Sequence, residues 1–220
     1  MKTLLRNLIL VMTISLTTIS LMSQTRGNGK VVEKTFELKT FDRISAGGAF
    51  KIFITQSADQ KVVIKTDENL MSLIEVKVVD GELQLSPKSM QHITKLEAEI
   101  SVASLKEIVV SGATDVKTIN KFSGSEMEID ASGASDILFT GDYDKMDIEL
   151  SGASNLTLTG IGKTMKAEIS GASDLKAADF VVENALVEAS GASDATVNVK
   201  ENLNANESGA SDIHNVHKSK

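Results

Sequence analysis

Ser132-Gly133-Ala134-Ser135-Asp136 is the stretch of sequence that decides the fold, because near-copies of it return throughout the second half of the chain. The copies begin at Ser111, Ser132, Ser151, Ser170, Ser190 and Ser208, so successive steps are 21, 19, 19, 20 and 18 residues. A repeat of about twenty residues is typical of a solenoid, in which each unit stacks only on its neighbours.

Apolar and polar residues alternate on both sides of each copy, as in Asp147-Ile148-Glu149-Leu150. Alternation with a period of two is the pattern of β-strands, and no helical i, i+3, i+4 stripe competes with it. Each repeat therefore predicts a strand, a corner, a second strand and a looser return loop such as Thr140-Gly141-Asp142-Tyr143-Asp144. Stacked in register, such units predict an all-β fold, a parallel β-helix.

The corner residues carry two structural predictions. Counting in twos from the apolar positions places the glycine and the second hydroxyl residue inside, and the first serine, the alanine and the acid outside. Glycine at a bend permits a positive φ or a close backbone approach. We interpret the glycines as structural corners: Gly112, Gly133, Gly152, Gly171, Gly191 and Gly209. The inward hydroxyls are expected to hydrogen-bond to corner backbone groups or to one another.

An acid or its amide ends each copy and has two interpretations. The column comprises Asp115, Asp136, Asn155, Asp174, Asp194 and Asp212. Carboxylates about 4.8 Å apart repel by about 0.9 kcal/mol even in bulk water. A bound cation would offset this repulsion, and calcium fits because it prefers hard oxygen ligands. Alternatively, each side chain accepts a hydrogen bond from a nearby backbone N–H and fixes the turn. Asn155 favours the turn role, because it keeps the acceptor and removes the charge. We therefore predict no metal site and no cofactor.

Residues 1–23 have the composition of a secretory signal peptide. Lys2 and Arg6 precede an apolar run that continues through Leu21, and the segment holds no acidic residue. An uncleaved membrane anchor is the alternative. The chain has no Cys, which excludes disulfides and lipid attachment of the lipoprotein kind. We expect an exported protein, periplasmic, at the cell surface or secreted, without stable membrane insertion after signal cleavage.

Composition narrows the possible partners and activities. The formal net charge of −7 and the lack of basic clusters exclude nucleic acid as a partner. Enzymes that cleave polysaccharides need paired carboxylates in a cleft, or a metal with a base, and usually aromatic platforms for sugars. The chain has no Trp and a single Tyr, Tyr143. No residue is therefore assigned a catalytic role.

The N-terminal part of the mature chain, 24–94, keeps the alternation of apolar and polar residues that is typical of strands, but its repeat is degenerate. Ser45-Ala46-Gly47-Gly48-Ala49 resembles a diverged corner, and Asp80-Gly81 predicts a hairpin turn. Pro87, the only proline, marks the loop in which we place the boundary.

The regular repeats occupy 95–213, and 214–220 form a C-terminal tail. In the last repeat, Glu207 and Asn215 replace apolar residues of the earlier copies. This replacement predicts a polar cap that blocks end-to-end stacking of sheets.

Residues 43–56, Arg-Ile-Ser-Ala-Gly-Gly-Ala-Phe-Lys-Ile-Phe-Ile-Thr-Gln, followed by serial Ser-Gly-Ala-Ser-Asp turns, resemble a known family. It is the "putative auto-transporter adhesin, head GIN domain" family of exported proteins in Bacteroidetes-type Gram-negative bacteria. Gly48-Ala49-Phe50 stands where the family has its Gly-Ile-Asn motif. The resemblance covers nearly all of the mature chain. It implies a right-handed β-helix of pectin-lyase-like shape and a role in cell-surface adhesion.

Three functions remain open from the sequence. The first is a non-enzymatic exported protein that acts in adhesion or as a binding module, with a protein or glycan surface ligand. The second is a structural scaffold in the periplasm or envelope that binds a protein partner. The third, a carbohydrate-active enzyme, is disfavoured because no catalytic constellation is visible.

Overall fold

The structure is a computed structural model that describes residues 25–217. Within this range the chain forms seventeen β-strands and one 3-10 helix, Met71–Leu73, and its parallel coils stack into a β-solenoid. The all-β stack predicted from the repeat is confirmed. No helix in this range is long and apolar enough to cross a membrane. The predicted signal peptide, 1–23, lies outside the described residues.

The N-terminal region mixes parallel and antiparallel pairing. Its strands are β1 (Thr25–Arg26), β2 (Val31–Phe36), β3 (Arg43–Ala46), β4 (Lys51–Gln56), β5 (Lys61–Asp67), β6 (Ile74–Val79), β7 (Glu82–Pro87) and β8 (Met90–Gln91). β4 and β5 also pair with β9 (Leu96–Val102), which begins just beyond the boundary predicted at residue 94. β6 and β7 form an antiparallel hairpin around Asp80-Gly81, which confirms the turn predicted there. β5 lies antiparallel to both β2 and β9, whereas β9 lies parallel to β4.

The repeats supply the other strands. These are β10 (Glu107–Val110), β11 (Asp115–Thr118), β12 (Phe122–Ala131), β13 (Asp136–Leu150), β14 (Asn155–Ile169), β15 (Asp174–Ala189), β16 (Asp194–Glu207) and β17 (Asp212–Asn215). Consecutive coils pair in parallel, so that Met127, Met146 and Met165 lie over one another. We call the part of each coil that contains the return loop the return side. The register between coils shifts only there, for example between Thr157 and Thr159. Differences in repeat length are therefore absorbed there and not at the corners.

Each coil contributes to two outward surfaces. Face 1 stacks β2, β5, β9, β4 and β11, then the first residues of β13 to β16, and ends at β17. Face 2 stacks β6, β7, β3, β10 and β12, then the last residues of β13 to β16. The chain passes from face 2 to face 1 at every corner.

The diverged corner predicted in the N-terminal region is confirmed, because it lies beneath the first regular corner. The amide of Ser111 donates to the carbonyl of Ala46 at 3.0 Å, and the amide of Ala113 to that of Gly48 at 2.6 Å. The N-terminal region therefore continues the stack of the repeats.

The interior is one continuous apolar cluster that runs from Phe41 to Val199. Three aromatic rings pack together inside it. The ring centroid of Phe139 lies 6.3 Å from that of Phe122 and 5.9 Å from that of Tyr143. The Tyr143 hydroxyl donates to the Leu105 carbonyl at 2.9 Å, and burial raises the pKa of this phenol. Buried aromatic rings thus fill this part of the solenoid interior.

Candidate binding surfaces

Glycines form a column along the corners. The φ angle is +105° at Gly48 and between +76° and +83° at the six glycines of the repeats. A Cβ added at any of those six would lie under 3.0 Å from the carbonyl oxygen of the glycine one coil earlier. All six are exposed, so the inward placement predicted by counting in twos is wrong. The left-handed bend at this residue breaks the strand alternation.

The second hydroxyl residue of each corner points inward, as predicted. Those that are fully buried are Thr114, Ser135, Ser154, Ser173 and Ser193. In five of the six corners the hydroxyl donates to the carbonyl of the first serine, three residues earlier, at 2.8 to 3.0 Å. In the other corner the Ser173 hydroxyl accepts the amide of Ser154 at 3.2 Å. These hydroxyls close the turn from inside.

The acidic column lies on face 1 in unbroken register from Asp115 to Asp212. Between residues 25 and 217 none of its carboxylates accepts a backbone N–H, so the predicted turn role belongs to the hydroxyls instead. Asn155 donates to Asp136 at 2.7 Å and thereby separates two runs of like charge. No group of three or more His, Cys, Asp or Glu side chains in this range is arranged to hold a metal ion.

Face 1 also exposes apolar side chains, which we call the Phe53 cluster: Phe53, Ile119 and Leu138. Phe53 is half-buried, whereas Ile119 is 54% and Leu138 48% exposed. Lys117 pairs in register with Phe53 on one side and Leu138 on the other. The Ile119 amide donates to the Ile54 carbonyl at 2.8 Å, which brings this side chain alongside.

Two shallow grooves meet at Phe53. One, of about 500 Å³, is lined by Leu138, by two lysines and by two acids: Lys51, Lys117, Asp115 and Asp136. The other, of about 420 Å³, includes Ile119, Thr55 and Glu99. Reading the sequence missed this cluster, although its signal was present. Ile137-Leu138-Phe139 places an apolar residue at a position that the alternation reserves for polar ones.

Face 2 is acidic. Two neighbouring columns carry carboxylates on successive coils: Glu107, Glu128 and Asp147 in one, and Asp130, Glu149, Glu168 and Glu188 in the other. Lys145 contacts Asp147 at 2.6 Å and Glu126 at 3.0 Å, and these hydrogen bonds raise its pKa to about 12. Burial, and then the charge of Glu128, raises the pKa of Glu107.

The N-terminal region contains a buried carboxylate that sequence reasoning did not single out. Asp67 is fully buried. Its Oδ1 accepts the Gly29 amide at 2.7 Å and the Thr94 hydroxyl at 2.9 Å, and its Oδ2 accepts the Thr94 amide at 2.8 Å. Burial alone raises the pKa of Asp67, but the hydrogen bonds from Thr94 and Gly29 outweigh it and lower the pKa. The carboxylate is a structural bridge between three separate segments.

Solved structures share this architecture. A putative adhesin from Bacteroides fragilis matches with a TM-score of 0.78 and 22% identity over 87% of this chain and 99% of that one. A putative lipid binding protein from Parabacteroides distasonis gives 0.71 and 16%, over 88% and 99%. A putative adhesin from Parabacteroides merdae gives 0.66 and 18%, again over 88% and 99%. At these identities the likeness shows the fold alone.

A comparison with curated proteins finds no match. Residues 40–218 match the family described as "Putative auto-transporter adhesin, head GIN domain". This match spans both the diverged corner and every regular repeat. The chain therefore belongs to the putative auto-transporter adhesin, head GIN domain family.

Proposed function

We propose that the protein is a non-enzymatic, exported binding module that attaches to a cell-surface or matrix component through the Phe53 cluster. The observation that carries this proposal is the exposure of Ile119 and Leu138 on the same face as the half-buried Phe53. Exposed apolar side chains grouped on one face are characteristic of interaction sites. Groups of both charge signs surround the cluster, which matches the polar rim of a binding surface.

The arrangement of the acids supports a non-enzymatic role. Asp130, Glu149 and Glu168 follow one another along an open sheet face, where each stands in line with the next coil. Catalytic carboxylates instead act from opposite sides of a bound substrate. Membership of an adhesin family points the same way.

A labelled preparation of the protein tests the proposal by its binding to intact cells, matrix components and a glycan array. We expect Leu138→Glu to weaken binding roughly tenfold or more, because a buried charge replaces an apolar contact. Ile161→Glu is the matched control, since Ile161 is 56% exposed but lies on the return side. Its binding should equal that of the unmodified protein.

Two outcomes would overturn this proposal. One is that the folded protein binds none of these surfaces, and the other is that Leu138→Glu binds as well as the control. Retention in the periplasm together with capture of envelope proteins would favour the scaffold function instead. Release of reducing ends from a polysaccharide panel would establish an enzyme.

A further inference from the structure

The last coil leaves an open strand edge on face 2. The inner edge of Asn202–Glu207 pairs with β15, from Asn184 opposite Asn202 to Ala189 opposite Glu207. No described residue pairs with the outer edge of this segment. Its side chains Ala205 and Asn206 are exposed, and Leu203 is half-buried. Among residues 25–217, this strand edge is therefore left without a pairing partner.

The predicted polar cap closes only the flanks of this segment. The Asn215 carboxamide makes the two hydrogen bonds to Val199 that a neighbouring strand would otherwise make. Its Oδ1 accepts the Val199 amide and its Nδ2 donates to the Val199 carbonyl, both at 3.0 Å. Glu207 accepts the Ile213 amide through Oε1 at 2.8 Å. Neither contact reaches residues 202–206.

The opposite end of the solenoid is protected differently. The edge strand β2 carries Glu33 and Lys34, and the edge strand β6 carries Glu75 and Lys77, which pair at 2.7 Å. Charged side chains, lysine above all, prevent edge strands from pairing with other chains. Residues 202–206, Asn-Leu-Asn-Ala-Asn, contain no charge and no proline. This edge lacks the protection that the N-terminal edges have.

We propose that this edge pairs with the same edge of a second copy, antiparallel, around a two-fold axis through Asn204. In that register the outward Asn202 meets Asn206, and the inward Leu203 meets Ala205. Asparagine carboxamides both donate and accept, so the row complements itself; Asn202 already donates to Asn184 at 2.7 Å. Residues 202–206 meet without charge, and beyond them Glu201 of one copy faces Glu207 of the other, whose carboxylate is already held by the Ile213 amide. A two-fold axis closes the assembly as a dimer.

Sedimentation of the full chain over a range of concentrations tests the dimer. Asn204→Lys should weaken dimerisation roughly tenfold or more, because a residue on the two-fold axis meets its own copy and the substitution opposes two ammonium groups. Thr164→Lys is the matched control, since Thr164 is exposed on the same face but lies on an interior coil. It should dimerise like the unmodified chain.

A charge pair tests the register. Asn202→Lys combined with Asn206→Glu places opposite charges across the axis twice and should preserve dimerisation, whereas Asn202→Lys with Asn206→Lys should abolish it. A monomer at every soluble concentration overturns the proposal, as does equal dimerisation of the two double variants. This proposal is independent of what the Phe53 cluster binds. A protein that binds its target but stays monomeric would support the proposed function and refute the dimer.

Discussion

The repeats and the N-terminal region enclose one core by different means. In the repeats, every coil closes through the same corner, in which a glycine carbonyl accepts the alanine amide of the next coil at 2.7 to 2.8 Å. In the N-terminal region, side chains replace missing strand contacts. Gln60, for example, accepts the Phe41 amide at 3.2 Å and donates to the Lys39 carbonyl at 2.9 Å.

This difference determines where each region is vulnerable. The corner stack depends on the shape of the main chain, because successive glycines approach too closely for a side chain to intervene. The N-terminal region depends on individual polar groups, such as Asp67, that join segments distant in sequence. Substitutions should therefore act through backbone geometry in one region and through lost hydrogen bonds in the other.

The largest effect is expected at the middle of the glycine column. Gly152→Ala places a Cβ 2.5 Å from the Gly133 carbonyl oxygen at φ +76°. Strain and displacement together should lower the free energy of unfolding by about 4 kcal/mol. Gly29→Ala is the control, since Gly29 has φ +78° but no atom within 4 Å of an added Cβ. It should cost only about 1 kcal/mol in a denaturant titration. An equal loss of unfolding free energy in Gly152→Ala and Gly29→Ala would show that the close approach of successive glycines does not contribute to stability.

The buried carboxylate should produce the next largest effect. Asp67→Asn puts an amide donor in a site where three donors converge, and should lower the free energy of unfolding by about 3 kcal/mol. Asp59→Asn, at an exposed loop position, should change it little.

The pH dependence of Asp67 gives an independent check of its role. Its folded pKa is lowered, so its contribution is complete at neutral pH and is lost as pH falls through the folded value, below the ordinary aspartate pKa of about 3.9. The gap in stability between the unmodified protein and Asp67→Asn should therefore narrow below about pH 3.9. A gap that stays constant at acid pH would contradict the assigned ionisation.

The same division explains what the sequence could predict. The repeats encode each coil locally, so period, parity and corner residues predicted the solenoid and its buried hydroxyls. The glycines escaped the parity rule because the left-handed residue interrupts the alternation locally, and the alternation resumes at the buried hydroxyl. Asp67, Thr94 and Gly29 are far apart in sequence, and no periodicity connects them. The Phe53 cluster likewise combines residues of β4 and β13 with the residue that follows β11, and only the register brings them together.

The corner hydroxyl should contribute moderately. Ser154→Ala removes a buried donor to the Ser151 carbonyl at 2.9 Å and should lower the free energy of unfolding by about 1 kcal/mol. Ser151→Ala serves as the control, because Ser151 is half-buried and its hydroxyl makes no hydrogen bond within residues 25–217. Chemical unfolding of both variants measures the difference, and an equal loss in the two would remove the role assigned to the inward hydroxyl.

The smallest effect has a sign that separates the two interpretations of the acidic column. Asp194 stands in register between Asp174 and Asp212. Asp194→Asn should raise the free energy of unfolding by about 0.5 kcal/mol, because it relieves repulsion on both sides. If the column held calcium, the same change would lower stability in millimolar calcium, and chelator would abolish the difference.

Spin-label distances between corners test the stack most directly, and the absence of native Cys allows labels to be placed at will. Ala113 and Ala210 are exposed and lie in the first and last regular corners. Labels introduced through Ala113→Cys and Ala210→Cys should give one narrow distance distribution near 24 Å, five strand spacings of about 4.8 Å. A broad distribution, or a mean well beyond that length, would contradict corners that lie directly over one another.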